Sequence, residues 1–189
     1  MEPKTLLVTG FEPFGNEDTN PSWEAVKRLP AQIGAYRIER LLLPVTFGRA
    51  AEKAIEAAER LRPDAILCTG LAAGRDAVTP EALGVNVRDA SIPDNAGVLP
   101  AGEPIDADGP AAIFSTLPVR KMAEAIQAVG LPAKLSYTAG TYVCNDLLYT
   151  LLRRFEGTET RVAFIHIPLA STLSVSESAR ALIAAIEAL

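Results

Sequence analysis

Short continuous apolar runs alternate along the chain with longer stretches whose apolar positions return every third or fourth residue. These are the signatures of buried strands and amphipathic helices. "TLLVTG" (5–10) reads as a buried strand ending in glycine, and "NPSWEAVKRL" (20–29) as a helix with Asn20 as N-cap and Pro21 at its first position. "YRIERLLLPV" (36–45) predicts a strand, and "GRAAEKAIEAAERLR" (48–62) a helix closed by Pro63. "DAILCTG" (64–70) is another buried strand, followed at 72–90 by a loop leading into one strand. The segment 92–110, "IPDNAGVLPAGEPIDADGP", is dense in proline, glycine and acids and reads as a long loop or hairpin. "VRKMAEAIQAVG" (119–130) predicts a helix capped by Gly130, and "AKLSYTAG" (133–140) a strand. A helix at "NDLLYTLLRRF" (145–155), a strand at "RVAFIHIP" (161–168) and a closing helix at "SESARALIAAIEAL" (176–189) complete the pattern.

Alternation of strand and helix implies an α/β layered domain, and no repeat, low-complexity tract or linker divides it, so residues 1–189 are expected to form one domain. Composition agrees: 49% apolar and 22% charged residues are ordinary for a globular chain and argue against disorder. A net charge of -5 disfavours nucleic acid and anionic membrane surfaces as partners. Neither end reads as a signal peptide, and no apolar stretch approaches the roughly 18 residues that span a bilayer, so a cytoplasmic protein is expected. Two cysteines make no disulfide framework, and a single histidine leaves a protein-built zinc site short of ligands, so no metal is expected.

In a mostly parallel sheet with helical crossovers, the loops after the strand C-termini gather on one edge, where ligands bind. Here those loops are "TGFEPFG", "TGLAAGRD" and "TAGTYVCN", with the tail of "AFIHIP", which can bring Phe11, Phe14, Cys144 and His166 together. Cys144 stands where a helix begins, and the free N–H groups and positive dipole end there favour a thiolate nucleophile. The plainer alternative is a small buried hydrophobe, which is the reading for Cys68 inside the apolar run "AILCTG". His166 is the one histidine in the chain, so an imidazole base for a cysteine nucleophile has to be this residue; otherwise it is a hydrogen-bonded core residue. An imidazole base needs a third group to orient it, and Glu81, Asp76, Asp89, Asp94 and Asp146 are all placed in or near loops, so spacing does not choose among them.

"GFEPFG" lacks the pattern of a phosphate-binding or dinucleotide loop, and its glycines instead suit a turn that presents Phe11 and Phe14 to a flat, mostly apolar ligand or to the edge of the core. "TGLAAGR" offers backbone amides that suit an anion, which keeps open a phosphorylase-type enzyme on a related αβα fold.

Along nearly its whole length the chain resembles the pyroglutamyl peptidase I family. The resemblance is carried by "VTGFEPFGNEDTNPSWEAV", "AAGRDAVTPE", "ASIPDNAG", "DGPAAIFSTLP", "SYTAGTYVCND" and "FIHIP", in family order and at nearly family spacing. It implies a three-layer αβα sandwich around a twisted, mostly parallel (mixed) sheet, and a cysteine peptidase without a cofactor that removes N-terminal pyroglutamate from peptides through a thioester acyl-enzyme. A homo-oligomer, tetramer or dimer, is also implied. By motif, the resemblance makes Cys144 the nucleophile, His166 the general base and then acid, and Glu81 the orienting acid. Phe11 and Phe14 would sandwich the lactam ring, with Thr46, Leu71, Ile92, Tyr142 and Val143 as further pocket candidates. The alternative within the family is a catalytically weakened protein that binds pyroglutamyl peptides. The chain departs from the usual family pattern at Leu71, Ser91 and Asp146 and in the shorter segment "LASTLSVSE" after "FIHIP".

Overall fold

A computed structural model describes residues 3–15 and 17–189. In chain order the elements are β1 (Lys4–Phe11), α1 (Pro21–Lys27), β2 (Gln32–Ile33), β3 (Tyr36–Leu43), α2 (Arg49–Leu61), β4 (Ala65–Leu71), β5 (Thr79–Glu81) and β6 (Leu83–Val85). They continue with β7 (Arg88–Asp89), β8 (Ala101–Glu103), β9 (Ala112–Phe114), α3 (Val119–Ala128), α4 (Val143–Arg154), β10 (Arg161–Ile167) and α5 (Val175–Glu187). Among the described residues, no helix is long and apolar enough to cross a membrane.

The central sheet has the order β2-β3-β1-β4-β10-β5. Strands β3, β1, β4 and β10 run parallel, and the two edge strands pair antiparallel, β2 on β3 and β5 on β10. The interior strands are near-continuous apolar runs because both faces are covered. On one face, Ala25 and Val26 of α1, Met122 and Ile126 of α3 and Leu182 and Ile186 of α5 pack with Leu6, Val8, Leu67, Ile165 and Ile167 of the sheet. On the other, the alanines of α2 and Leu147, Leu148 and Leu151 of α4 pack with Leu7, Ile66, Cys68, Val162 and Phe164. This is a three-layer αβα sandwich with a mixed sheet, as the sequence pattern and the resemblance imply.

Local chemistry sets the helix starts. The Asn20 side chain accepts from the Ser22 N–H and Pro21 opens α1, while Ser174 and Glu177 form a reciprocal capping box at α5. Gly10 permits α1 to lie directly on β1, since a Cβ there would come within 2.8 Å of the Trp23 Cα.

Two expectations about the elements need correction. Segment 72–90 contributes three short strands, β5, β6 and β7, rather than one. Segment 92–110 is, as expected, not a core element: it pairs through β8 with β7 and forms a hairpin-like excursion from the sandwich. The expected strand at 133–140 is absent; only isolated bridges join Ala133 to Val78 and Ser136 to Glu81. Its backbone does follow β5, with bonds from Val78 N to Pro132 O, Lys134 N to Val78 O, Ser136 N to Pro80 O and Ala82 N to Ser136 O. The rung between these pairs would need an N–H from residue 80, and Pro80 has none, so the ladder breaks in two.

Candidate active site

Four strand ends and one helix start build the site. In the parallel part of the sheet β1 lies between β3 and β4, so the chain leaving β3 crosses to the far side of β1, and a crevice opens beyond the strand C-termini. Phe11 ends β1, Val45 follows β3, Leu71 ends β4, and α4 points its N-terminus at the same edge.

Cys144 is the second residue of α4 and is half-buried. Its Sγ rests over the sheet at Gly70: a Cβ on Gly70 would lie 2.8 Å from Sγ and 2.8 Å from the Phe164 ring. Gly70 is the Cα partner of His166 in the parallel pairing of β4 with β10, so thiol and imidazole stand over neighbouring strands. On β10 the side chains alternate between faces, with Ile165 and Ile167 packed under α1 and α5 while Phe164 faces α4. His166 shares the face of Phe164, and the two rings lie 4.7 Å apart.

The antiparallel register of β5 on β10 sets Glu81 opposite Phe164 and Thr79 opposite His166. Glu81 is therefore the diagonal neighbour of His166 on the same face. Its Oε1 lies 2.7 Å from His166 Nδ1, and both side chains are buried. With Nδ1–H donating to the carboxylate, the neutral imidazole leaves Nε2 free to accept a proton. Of the five acids left open by spacing, Glu81 is the one in contact with the imidazole. Asp76 pairs with Lys134 on the surface, Asp89 is exposed, and Asp94 and Asp146 bind elsewhere.

Burial pushes the Cys144 thiol up to about 12, with the negative charge of Glu81 and then Cys68 adding to the effect. Arg75 and a hydrogen bond from the cysteine's own backbone N–H act in the opposite direction. The helix start therefore does favour the thiolate, but desolvation outweighs it, and the resting group is a thiol rather than the expected thiolate. Burial also lowers the His166 pKa from its ordinary value, against the raising effect of Glu81 and with a further lowering from Arg75. Thiol and imidazole are both neutral at rest. Cys68 is fully buried and likewise pushed up to about 12, mainly by desolvation.

Beside Cys144 is a small cavity of about 60 Å³, lined by Phe11, Phe14, Asn20, Val45, Leu71, Tyr142, Val143 and Cys144. A water-sized probe needs roughly 10–15 Å³ of such volume, so this space suits one small ring. Of the predicted pocket residues, Phe11, Phe14, Leu71, Tyr142 and Val143 share this lining. Thr46 lines a separate depression with Glu12, Arg49 and Lys53, and Ile92 is half exposed on the excursion, so neither is brought to the cavity. Asn20 and Val45 line it without having been anticipated, because neither carries a chemical signal in the sequence.

The rim is tied by polar contacts that the sequence did not reveal. The Tyr142 hydroxyl donates to Pro93 O at 2.9 Å, and its ring packs against Phe14 and Phe47. Asp94 is buried and accepts from the N–H groups of Phe47, Ala96 and Val98. Asn95 bonds Glu12 Oε1, which also accepts from Val45 N–H. Asp146 is fully buried and turned from the thiol: Oδ2 accepts from Gly48 N–H at 2.8 Å and Oδ1 from Arg88 Nε at 2.6 Å. Next to it, Asn145 bonds both the N–H and C=O of Val85 and the C=O of Val87. These bonds tie α4, the helix of Cys144, to α2 on one side and to the 85–88 segment on the other.

Arg75, the one cation of the "TGLAAGR" stretch, points inward. It donates to Glu81 Oε1, Thr79 Oγ1 and the Thr138 carbonyl, the last at 2.7 Å, and so is already engaged by protein groups.

Residues 4–186 match the family described as pyroglutamyl peptidase. A pyrrolidone-carboxylate peptidase of Levilactobacillus brevis is 47% identical, over 97% of this chain and 96% of its own. One from Thermococcus kodakarensis is 47% identical over 86% of this chain and 80% of its own. Among solved structures, pyroglutamyl peptidase I of Bacillus amyloliquefaciens superposes with a TM-score of 0.93 at 42% identity, covering 97% of this chain and 95% of that one. With a match over nearly the whole chain and relatives this similar in sequence and in fold, the chain belongs to the pyroglutamyl peptidase family of hydrolases.

Proposed function

We propose that this protein removes N-terminal pyroglutamate from peptides by covalent catalysis, with Cys144 as nucleophile, His166 as base and then acid, and Glu81 as the acid that orients the imidazole. The observation that carries this reading is the 2.7 Å contact of Glu81 with His166 Nδ1 on the face of the sheet where the Cys144 thiol rests. The apolar cavity that reaches Cys144 gives the lactam ring a place between Phe11 and Phe14. A cyclic amide has no charged amino group to hold, so an apolar slot suits it, and ring-opened analogues would bring an unpaired charge into it.

The thiol gives its proton to His166 Nε2 as sulfur attacks the pyroglutamyl carbonyl. Because both groups start neutral, transfer and attack are coupled, and the imidazolium that forms is stabilised by Glu81. The oxyanion lies at the start of α4, where the first N–H groups, that of Cys144 among them, have no carbonyl partner within the helix and turn to it. The imidazolium then protonates the departing amine, leaving a thioester. Water, deprotonated by His166, cleaves the thioester, releases pyroglutamate and restores the thiol.

Release of aminomethylcoumarin from its pyroglutamyl amide tests the reading. Turnover is expected from the wild type and is lost in Cys144→Ser; equal turnover in that variant would sink it. The raised thiol pKa favours one competing reading, a protein that binds pyroglutamyl peptides without cleaving them. Calorimetric binding of pyroglutamate with no coumarin release would establish that instead.

The proposal extends to a homotetramer in the cytoplasm. Exposed Ile92, Val98, Leu99 and Phe114 support association. A monomer mass by light scattering would remove the assembly, and recovery from the culture medium would remove the location.

A further inference from the structure

Glu81 poses a problem of charge. It is fully buried, and its Oε2 has no protein partner among the described residues. Everything that holds the carboxylate converges on Oε1, which meets His166 Nδ1 from one side and the Arg75 guanidinium from the other. The imidazole alone is a poor counterion, since burial keeps it neutral. Arg75 is therefore the charge that allows a carboxylate to sit in the sheet.

We propose that Arg75 is a positioning residue of the catalytic site: its guanidinium clamps Glu81, Thr79 and the Thr138 carbonyl together and so fixes the carboxylate against the imidazole. This inference rests on the triad reading above. The clamp uses both ends of the fork. Nη1 donates to Glu81 Oε1 and Thr79 Oγ1, while Nη2 reaches Thr138 O at 2.7 Å. Thr79 is the register partner of His166, and Thr138 lies between the 133–136 segment and the start of α4. One side chain thus joins β5 to the approach of the nucleophile's helix. A lysine supplies the charge but not the planar fork.

The backbone aims this side chain. Arg75 N–H closes a turn onto Ala72 O, and Val78 N–H fixes the end of the loop to Pro132 O. The Asp76–Lys134 pair beside it is exposed on both sides and adds little. Among the described residues, the charged groups acting on the imidazole are Glu81 from β5 and Arg75 from the 72–78 loop; the same two act on the thiol, together with Cys68 from β4 and Tyr142 beside it. With Arg75 gone, burial alone offsets the pull of Glu81 on a proton, so the imidazole takes one up at higher pH.

The chain has one histidine, so in tag-free protein the imidazole Cε1–H resonance belongs to His166 without assignment work. Its pH titration is compared in wild type, Arg75→Met and Arg75→Lys, alongside the acid limb of kcat/KM on the pyroglutamyl amide. Arg75→Met is expected to raise the imidazole midpoint by roughly one unit and to move the acid limb upward with it. Arg75→Lys is expected to shift the midpoint less while still lowering kcat, because the fork is lost. A midpoint in Arg75→Met equal to that of wild type overturns the proposal. If circular dichroism shows that variant to be unfolded, Arg75→Lys decides, and wild-type midpoint and kcat together overturn it. The titration needs no turnover, so an inactive wild type would defeat the triad reading and still leave the effect of Arg75 measurable.

Discussion

Cys144 rests on Gly70, with no room between them for a methyl group: a Cβ at position 70 would lie 2.8 Å from Sγ and as close to the Phe164 ring. The sheet reaches the thiol through its one residue type without a side chain. Gly70→Ala is therefore expected to displace the thiol while leaving a folded protein. Misplacement by about 1 Å costs on the order of 10²-fold in kcat/KM. Coumarin release read beside a melting curve checks this; unchanged kcat/KM would show that the helix start yields freely.

The two cysteines are expected to separate cleanly. Cys144→Ser abolishes turnover, whereas Cys68→Ser, altering a thiol buried within the sheet, retains it. Both thiols are held up to about 12 in the folded chain, from an ordinary value of 9.0. Their pKa values are raised on folding, so they add stability that is fully present below pH 9 and is lost as pH climbs toward 12. Iodoacetamide modification of Cys144 should be slow at neutral pH and accelerate about tenfold per pH unit. A plateau below pH 8, followed by mass spectrometry, would reveal a resting thiolate instead.

Glu81→Gln keeps the size of the side chain and removes its charge. The imidazolium then loses its stabilising partner, and the tautomer with Nδ1–H is no longer enforced. A fall in kcat on the order of 10³- to 10⁴-fold with little change in KM is expected. Steady-state kinetics on the pyroglutamyl amide decides; a loss confined to KM would place Glu81 in binding rather than orientation.

Asp146 carries stability more than chemistry. Arg88→Met strands a fully buried carboxylate with only the Gly48 N–H, and a loss of about 2–4 kcal/mol in urea unfolding is expected. Asp146→Asn, which needs no counterion, should cost less than Arg88→Met. The reverse order would mean that the guanidinium is a bystander.

Much of the sandwich was legible because buried strands and amphipathic helices write their periods directly: 5–10, 64–70 and 161–168 read as strands, and 48–62 and 145–155 as helices. Cys144 and His166 could be placed together from the sheet-edge rule. Glu81 could not, because it depends on the antiparallel register of a three-residue strand, which is too short to leave a period. The 133–140 segment was misread for a related reason. Its own alternation is strand-like, but the missing rung belongs to Pro80 on its partner. Arg75 stands six residues before Glu81 and carried no signal of turning inward, since loop arginines are mostly solvated. Thr46 and Ile92 fall outside the cavity lining, a matter of loop path that composition does not encode.

Pro80 has a consequence for how the enzyme fails. Because one rung is missing beside it, β5 is tied on its outer side by two separated pairs of bonds rather than by a continuous ladder, and it carries Glu81 in a strand three residues long. Amide exchange should begin along this margin before the parallel interior of the sheet opens. Warming would then disconnect the acid from the imidazole while the sandwich still stands, so that activity disappears at a lower temperature than the fold.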